Sequence, residues 1–286
     1  MIVLNSGVTD QNGVENDMTE KMVYIAVLIV TFNPDGRLLL SLENLQNFAY
    51  KIVIVDNDSS DKNFMECIKN KFNENILTVL ELPDNLGIAG ALNYGVKYIN
   101  DNFSVDYILT LDQDTIIVQQ LIDTVIREAN QRFDKIGIIA LGMNKTEKSI
   151  QYREINNIIT SGNLVRAEVF INLQFREEFF MDQVDFDFDY EVRKLGYRII
   201  LADGYLIDHR LATRVGKLLY EPQFRMYYII RNSTVLLIEG KIPITNYLWQ
   251  IAYWSFSSIL HDGIVRFSKI FIVGIIDGLS RKLGKV

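Results

Sequence analysis

The sequence has few of the residues that cross-link a chain or mark a phosphate-binding loop. Cys67 is the only cysteine, so no disulfide can form within one chain and a reducing cytoplasmic setting is expected. Neither Gly-x-Gly-x-x-Gly nor Gly-x-x-x-x-Gly-Lys-Ser/Thr occurs, which removes the main support for dinucleotide-binding and P-loop folds. No basic segment or long apolar run opens the chain, so no secretory signal is predicted. Residues 1–22 are instead expected to be a disordered polar leader.

Basic charge is also scarce. The formal net charge is −7, which argues against a nucleic-acid partner. Positive charge is concentrated at one end, because residues 241–286 carry six Lys or Arg against two Asp. A basic, aromatic-rich end on an acidic protein suggests a surface for anionic lipid.

Buried strands alternate with helices in the first half of the chain. Apolar runs and helical spacings predict the strands Tyr24–Val30, Ile52–Val55, Leu77–Leu82 and Tyr107–Leu111 and the helices Leu38–Phe48, Phe64–Phe72 and Ile88–Asn100. This alternation predicts an α/β fold with a mostly parallel sheet flanked by helices. Ligands bind beyond the carboxyl ends of such strands, so the loops 31–35, 56–61 and 112–115 should meet at one edge.

The second half is less regular. A strand is predicted at Ile158–Ser161 and a short helix at Leu164–Phe170. The apolar stripe of a later helix, which ends at Gly196, consists of Val184, Phe188, Val192 and Leu195. Strands at Arg198–Leu201 and Leu206–Asp208 follow, and from Phe224 onward the chain is predicted to be helical and apolar.

Asp112 and Asp114 follow the fourth predicted strand. Alternation along an extended chain would point both carboxylates to one side, where they repel each other unless a cation joins them. Hard oxygen ligands suit Mg²⁺ or Mn²⁺ bridging to substrate phosphates. The alternative for an isolated Asp-x-Asp is a solvated turn or a helix cap. The position of these residues beyond a buried strand favours the metal site.

Two other features near this edge have both a functional and a structural interpretation. Asp56 ends the second strand and could accept a hydrogen bond from a ligand, since Asp61 and its neighbours are better placed to cap the next helix. Gly87 opens a helix after the third strand. It would allow either the close approach of a ligand or tight helix packing.

Three later aspartates, Asp182, Asp185 and Asp189, fall on one face at helical spacing. One of them could be a general base that takes a hydroxyl proton. Asp182 could equally cap a helix that has Asp185 in its first turn, and both roles can hold together. His209 follows a strand; a structural role is the commoner one for a lone histidine, but a ligand role stays open.

Four motifs occur in a fixed order. They are Ile29-Val30-Thr31-Phe32-Asn33-Pro34, Val53-Ile54-Val55-Asp56-Asn57, Asn85-Leu86-Gly87-Ile88-Ala89-Gly90-Ala91-Leu92-Asn93 and Leu109-Thr110-Leu111-Asp112-Gln113-Asp114. In this order they resemble the family-2 inverting glycosyltransferases, which have the GT-A nucleotide-sugar-binding fold. The Leu-Asp-Gln-Asp form, with Asp-Gln-Val-Asp later, is most similar to the bacterial rhamnosyltransferase branch. The resemblance covers about residues 23–240.

The resemblance implies a role for each matching residue. The donor-binding residues would be Thr31, Asn33, Asp56, Asn57, Asn85, Gly87, Asn93, Asp112, Gln113 and Arg231. The metal ligands would be Asp112, Asp114 and His209, and the acceptor-side loop would be Ser161, Gly162 and Asn163. Many members carry Glu-Asp, with the Asp as catalytic base, where this chain has Asp182-Gln183. An amide cannot usefully accept a proton, so the base should be Asp182 or Asp185, with Asp185 slightly favoured.

The implied protein has a catalytic domain at 23–221 that uses Mg²⁺ or Mn²⁺ and a helical C-terminal extension at 222–286. It would transfer L-rhamnose from dTDP-rhamnose, with inversion, to a hydroxyl of a cell-surface polysaccharide or a lipid-linked precursor. The alternative activities are transfer from another UDP- or dTDP-sugar and nucleotidyl transfer to a sugar phosphate. A catalytically inactive binding protein is a third possibility.

The extension contains an uncharged stretch, Ile242–Leu260. Pro243, Asn246 and Gln250 make it a poor membrane-spanning helix. Trp249 and the basic residues that follow favour an interfacial helix, which would place the protein peripherally at the cytoplasmic leaflet of the cell membrane. The alternative is a core contact or a homodimer interface.

Overall fold

The computed structural model describes residues 2–3, 22–145, 149–210, 213–215 and 218–286. Apart from residues 2–3 and 22, the predicted leader lies outside these ranges. The strands are β1 (Ile2–Val3), β2 (Met22–Val23), β3 (Ile25–Thr31), β4 (Lys51–Asp56), β5 (Leu77–Glu81), β6 (Tyr107–Asp112), β7 (Ile116–Ile117), β8 (Ile136–Leu141), β9 (Gln151–Ile155), β10 (Asn163–Arg166), β11 (Arg198–Asp203), β12 (Ile207–Asp208), β13 (Thr213–Val215) and β14 (Leu218–Tyr220). The helices are α1 (Arg37–Leu45), α2 (Lys62–Lys71), α3 (Gly87–Asn102), α4 (Ile122–Arg132), α5 (Val169–Asn172), α6 (Val184–Lys194), α7 (Gln223–Ile238), α8 (Ile244–Asp262) and α9 (Ile264–Leu279).

Eight strands form one mixed sheet in the order β5-β4-β3-β6-β10-β8-β11-β9. β5, β4, β3 and β6 run parallel, and so do β8 and β11. β10 runs antiparallel between β6 and β8, and β9 is an antiparallel edge strand. The predicted mostly parallel sheet is therefore confirmed.

Helices cover both faces of the sheet. Val27 and Ile29 pack with residues of α1, α2 and α4, whereas Ala26 and Leu28 pack with residues of α3 and α6. Successive residues of a strand point to opposite faces, so a strand covered on both sides needs a continuous apolar run. This explains why β3 and β4 were predictable from the sequence.

Two predictions in the second half are wrong. Residues 164–166, predicted as helix, belong to β10, and Ile158–Ser161, predicted as a strand, has no regular structure. Leu164 and Val165 are paired with strands on both sides at the centre of the sheet, and this burial decides their conformation. Leu195 is half exposed, although the other three members of its predicted stripe are buried.

The predicted C-terminal helices are present as α7, α8 and α9. Met226 and Ile230 of α7 form a small core with Phe267 of α9. Further along α7, Val235 and Leu236 join the core of the sheet domain. Among the described residues, no helix is long and apolar enough to cross a membrane.

Candidate active site

The loops that follow β3, β4 and β6 are tied to one another. Thr31 Oγ1 donates to Asp56 Oδ1 at 3.0 Å. The amide of Gln113 accepts from the N–H of Phe32 at 2.8 Å and donates to its C=O at 3.3 Å. The carboxyl ends of these three strands therefore do meet at one edge, as predicted.

Asp112, Asp114 and His209 lie together beyond β6. His209 Nδ1 is 3.3 Å from Asp114 Oδ1, and His209 Nε2 is 3.8 Å from Asp112 Oδ2. One ligand atom from each residue lies within 4.8 Å of the others. The chain turns here, because Thr115 N donates to Asp112 O at 3.0 Å, so the extended geometry predicted for the two aspartates is wrong although they converge. The two carboxylates suit Mg²⁺ or Mn²⁺, and the imidazole nitrogen is a further ligand for a transition-metal ion such as Mn²⁺.

A chain of hydroxyl groups supports this cluster from below. Asp112 N donates to Ser161 Oγ at 2.9 Å, and Ser161 Oγ lies 2.7 Å from Thr115 Oγ1. Thr115 Oγ1 lies in turn 2.7 Å from His209 Nδ1. Both hydroxyl side chains are buried. These two hydroxyl groups fix the orientation of the imidazole ring, as groups around metal-binding histidines commonly do.

The surroundings of the cluster shift the pKa values of Asp112 and His209. Desolvation in the pocket raises the pKa of Asp112, although the nearby His209 opposes this. Burial alone would lower the pKa of His209, but its hydrogen bond with Asp114 and the charge of Asp112 outweigh burial and raise it. A divalent cation would relieve the repulsion between the two carboxylates and would take the place of the positive charge on protonated His209.

The interpretation of Asp56 as free for a ligand needs correction. Asp56 and Thr31 are both 0% exposed. The Asp56 carboxylate accepts from Thr31 Oγ1, from Ser59 N and from Ser59 Oγ, and Lys62 Nζ lies 3.6 Å away. Asp61 does cap α2, as predicted. In this structure Asp56 nevertheless holds its own loop in shape, and its donor contact stays a prediction.

Asn33 and Gln113 link loops in the same way. Asn33 N donates to Ser59 Oγ at 2.8 Å, and Ser60 N donates to Asn33 Oδ1 at 2.8 Å. Asn33 is exposed at this edge, and Gln113 is partly exposed beside the two aspartates. Both therefore keep the accessibility that their predicted donor role requires.

Hydrogen bonds join Asn57, after β4, to Asn85 and Gly87 at the start of α3. Asn57 Nδ2 donates to Asn85 Oδ1 at 3.1 Å and to Gly87 O at 3.2 Å. Gly87 has φ +75°, and a Cβ on it would lie 2.3 Å from Phe180 O. The glycine therefore permits the close approach of another segment of the chain, not the helix-to-sheet packing considered above.

The side chains of two predicted donor-binding residues, Asn93 and Arg231, hydrogen-bond to the backbone of other segments of the protein. Asn93 accepts from Phe175 N at 2.9 Å and donates to Phe175 O at 2.8 Å. Arg231 is 0% exposed and donates to Phe179 O at 3.0 Å and to Gly284 O at 2.7 Å. A guanidinium without exposed surface cannot reach a ligand, so the predicted donor contact of Arg231 is corrected to a structural role.

The predicted acceptor loop leads into β10, which begins at Asn163, and all three of its residues are buried. Ser161 belongs to the hydroxyl chain under the metal-binding cluster. Gly162 has φ +90°, and a Cβ on it would lie 2.5 Å from Ile207 Cδ1. Asn163 Nδ2 donates to Ile159 O at 2.8 Å, while its Oδ1 is buried without a partner among the described residues. The loop lies behind the cluster, and its acceptor contact stays a prediction.

The two candidate bases have different surroundings. Asp182 precedes α6 and does not cap it, because the residue at the cap is Gln183. Its carboxylate is instead bound by Arg225, with Nη2–Oδ1 at 2.6 Å and Nε–Oδ2 at 3.3 Å. Asp185 lies in the first turn of α6, as predicted, is partly exposed and has no ion-pair partner among the residues that the structure describes. Burial raises the pKa of Asp185 to about 7, and the charges of Asp182 and Asp112 contribute.

Asp189, the third aspartate of this set, faces inward. It is 2% exposed and accepts from Ile158 N at 2.6 Å. Burial raises its pKa well above the usual value. Its position makes Asp189 a structural residue of α6.

Sequence reasoning missed Arg225 altogether. It lies in the first turn of α7 and bonds both Asp182 and Glu221. Its spacing of four from Glu221 was the only local signal for a pair, and nothing in the sequence connects it to Asp182, 43 residues away. Thr115 was missed for the same reason.

Comparisons with solved structures show where this architecture recurs. The structure superposes on S. aureus TarS 1–349 in complex with UDP-GlcNAc with a TM-score of 0.60, over 90% of this chain and 81% of that one, at 15% identity. It superposes on the mannosyltransferase PcManGT from Pyrobaculum calidifontis, in complex with GDP-Man and Mn²⁺, with a TM-score of 0.61, over 90% and 87% of the chains, at 13% identity. Likeness at this level of identity is a likeness of fold, and it confirms the predicted GT-A architecture.

Comparisons with curated sequences match part of this chain. Poly-beta-1,6-N-acetyl-D-glucosamine synthase of Staphylococcus aureus is 34% identical over 97 residues, which are 33% of this chain and 23% of that protein. Minor teichoic acid biosynthesis protein GgaB of Bacillus subtilis is 27% identical over 131 residues, 45% of this chain and 13% of that protein. The chain thus matches less than a quarter of the length of either relative. The profile of Glycosyl transferase family 2 matches residues 26–181, more than half of the chain. The chain belongs to glycosyl transferase family 2.

Proposed function

We propose that this protein is an inverting glycosyltransferase that moves a sugar from a nucleotide-sugar to a hydroxyl of a cell-surface polysaccharide or its lipid-linked precursor. The observation that carries the proposal is the convergence of Asp112, Asp114 and His209 with Asp185 at one edge of the sheet. Family membership and fold support it, and two relatives are named for cell-surface polymers.

Each group has a distinct task in this proposal. Asp112, Asp114 and His209 would hold Mg²⁺ or Mn²⁺, which supplies positive charge next to the leaving diphosphate. Asp185 takes the proton of the acceptor hydroxyl, because its carboxylate is not committed to a cation and its pKa of about 7 suits a base near neutrality. Asp182 is a poorer base, since Arg225 binds both of its oxygens.

For the donor we propose dTDP-L-rhamnose. The support is the Leu111-Asp112-Gln113-Asp114 motif and its resemblance to the rhamnosyltransferase branch. The superposed structures contain UDP-GlcNAc and GDP-Man, so another nucleotide-sugar is the alternative for this chain.

The test is a panel of dTDP-, UDP- and GDP-sugars, each with and without Mn²⁺, read out by thermal shift and by release of nucleoside diphosphate. The expected result is metal-dependent stabilisation that is largest for dTDP-rhamnose and is lost in Asp112→Asn. Asp101→Asn, which removes an exposed carboxylate on α3, is the matched control and should behave as wild type. No metal-dependent stabilisation by any sugar nucleotide would refute glycosyl transfer. Pyrophosphate exchange without an acceptor would identify a nucleotidyltransferase instead.

The proposal also places the protein at an anionic membrane. α8 and α9 expose large apolar side chains, including Trp249 (71%), Leu260 (64%) and Val265 (67%). Their two carboxylates point inward, since Asp262 accepts from the hydroxyl of Tyr220 and Asp277 accepts from that of Tyr227. The exposed charged side chains of described residues 244–286 are all cationic: Arg266, Lys269, Arg281, Lys282 and Lys285. Apolar surface flanked by cations suits an anionic lipid interface.

Vesicle sedimentation tests this placement. The wild type should bind phosphatidylcholine vesicles that contain phosphatidylglycerol and not those that lack it. The double variant with Leu260→Glu and Val265→Glu should lose binding, whereas Ile171→Glu, on an exposed apolar residue of α5, should keep it. Absence of binding by the wild type, together with a dimer in solution, would favour the homodimer interface.

A further inference from the structure

Arg225 is a cation at the rim of the proposed active site. Its guanidinium makes three contacts: two with Asp182, and one from Nη1 to Glu221 Oε2 at 2.7 Å. A guanidinium has five N–H groups, so two remain without a partner among the described residues. The side chain is 39% exposed, so the guanidinium is accessible to a ligand.

The surrounding charge requires such a cation. Arg225 lies near enough to Asp112 for each to shift the pKa of the other. The carboxylates that act on Arg225 are Asp182, Glu221 and Asp112, and Asp114 lies beside Asp112. A single divalent cation neutralises only part of this negative charge, and a diphosphate entering the pocket adds more. A second positive group beside the metal-binding cluster offsets that repulsion.

The geometry also favours arginine over a point charge. A guanidinium presents its N–H groups in a planar fork that matches two phosphate oxygens. Asp182 and Glu221 hold Arg225 from two sides, so little side-chain freedom is lost when a ligand binds. Arg231, the arginine that the sequence put forward for this task, is completely buried.

We propose that Arg225 is a donor-binding residue whose two uncommitted N–H groups bind the diphosphate of the nucleotide-sugar, while Asp182 and Glu221 hold the guanidinium in place. This inference rests on the proposed function, since it names the residue that meets the leaving group. Asp182 then serves the donor through Arg225, and Asp185 serves the acceptor.

Titration calorimetry with UDP and dTDP in the presence of Mn²⁺ tests the inference. Arg225→Gln should weaken the binding of nucleoside diphosphate at least tenfold and raise the KM for the donor more than it lowers kcat. Arg225→Lys should recover part of the affinity, because it keeps the charge without the fork. Arg198→Gln is the matched control, since Arg198 is 42% exposed and also lies beside two carboxylates, Asp134 and Glu154, at the opposite edge of the sheet.

Binding of Mn²⁺ alone, followed by electron paramagnetic resonance, separates a lost contact from a damaged site. Arg225→Gln should bind Mn²⁺ as tightly as the wild type or more tightly, whereas a collapsed site would bind it less. An Arg225→Gln protein that binds nucleoside diphosphate with wild-type affinity, or that loses Mn²⁺ and nucleotide together, overturns the role of Arg225. A wild-type protein that binds no nucleoside diphosphate overturns the proposed function itself.

Discussion

Arg225 binds both carboxylate oxygens of Asp182, and no cation in the described part of the chain pairs with Asp185. This difference favours Asp185 over Asp182 as the base that we propose. Asp185→Asn should lower kcat by about 10²–10⁴-fold, the usual contribution of a general base. Asp182→Asn should act mainly on the KM for the donor, because it frees the guanidinium. Initial rates at saturating acceptor would measure both, and the opposite order of effects would make Asp182 the base.

The rate should depend on pH through Asp185. Burial raises its pKa to about 7, and only the ionised form can take a proton from the acceptor. We therefore expect kcat to rise about tenfold per pH unit below about pH 7 and to level off above it. A pH profile of kcat for wild type and Asp185→Asn measures this. A wild-type rate that falls as the pH rises through 7 contradicts the assignment.

Stability should depend on pH in the opposite sense. The folded pKa of Asp185 lies above the ordinary 3.8, so between about pH 4 and 7 the folded protein keeps a proton that the unfolded chain has lost. This contribution to the free energy of unfolding therefore shrinks as the pH rises through that window. Asp185→Asn should equal wild type in stability at pH 4 and exceed it at pH 8, by at most about 4 kcal/mol, the free energy that corresponds to a rise in pKa from 3.8 to about 7. Urea unfolding at both pH values decides, with Asp101→Asn as the control.

Thr115→Val should weaken the metal site without touching a ligand. Thr115 Oγ1 lies 2.7 Å from His209 Nδ1 and orients the ring. Removing the hydroxyl should reduce Mn²⁺ affinity about 10–100-fold, as for other groups that support metal-binding histidines. Thr124→Val, on α4 and away from the site, should leave it unchanged. Calorimetric titration compares the Mn²⁺ affinities of the variants with that of the wild type. Equal affinities for Thr115→Val and wild type would show that the Thr115 hydroxyl does not support the metal site.

Gly87→Ala should damage both folding and activity. The added Cβ would lie 2.3 Å from Phe180 O, and φ is +75°. Strain of this kind costs about 1–3 kcal/mol and would displace the segment that carries Asp182. Gly36→Ala is the contrast, because its Cβ would meet no atom within 4 Å and its φ is −59°. It should be neutral or stabilising by up to about 1 kcal/mol. Melting temperatures measure both variants, and a Gly87→Ala protein that melts at the wild-type temperature would contradict the prediction.

The first half of the fold was predictable because its central strands β3, β4 and β6 are buried on both faces. A short, continuous apolar run such as Ile25–Val30 is typical of a strand that helices cover on both faces. β10 was not predictable in this way. Its four residues are held by partners on β6 and β8, which lie far away in sequence, and a four-residue apolar segment has no clear period of its own.

The residues of the candidate site also differ in whether neighbouring sequence predicts them. Asp112 and Asp114 were predictable because their strand and their loop are contiguous in the chain. Arg225 and Arg231 were not distinguishable by sequence, since both lie on one helix and only its docking decides which side chain is exposed. The role of Thr115 depends on His209, 94 residues later, and no local pattern records that contact.

Arg231 joins three segments, because it bonds Phe179 O and Gly284 O, while Gly284 N donates to Glu178 O at 2.7 Å. In the language of hydrogen exchange, the amides of the 178–182 segment, the second half of α7 and residues 283–286 should open as one cooperative unit. The predicted boundary between residues 221 and 222 runs through that unit. The segment that carries Asp182 and leads into α6, the helix of Asp185, therefore depends for its local stability on the helical extension, so binding at α8 and α9 should change the hydrogen exchange of that segment.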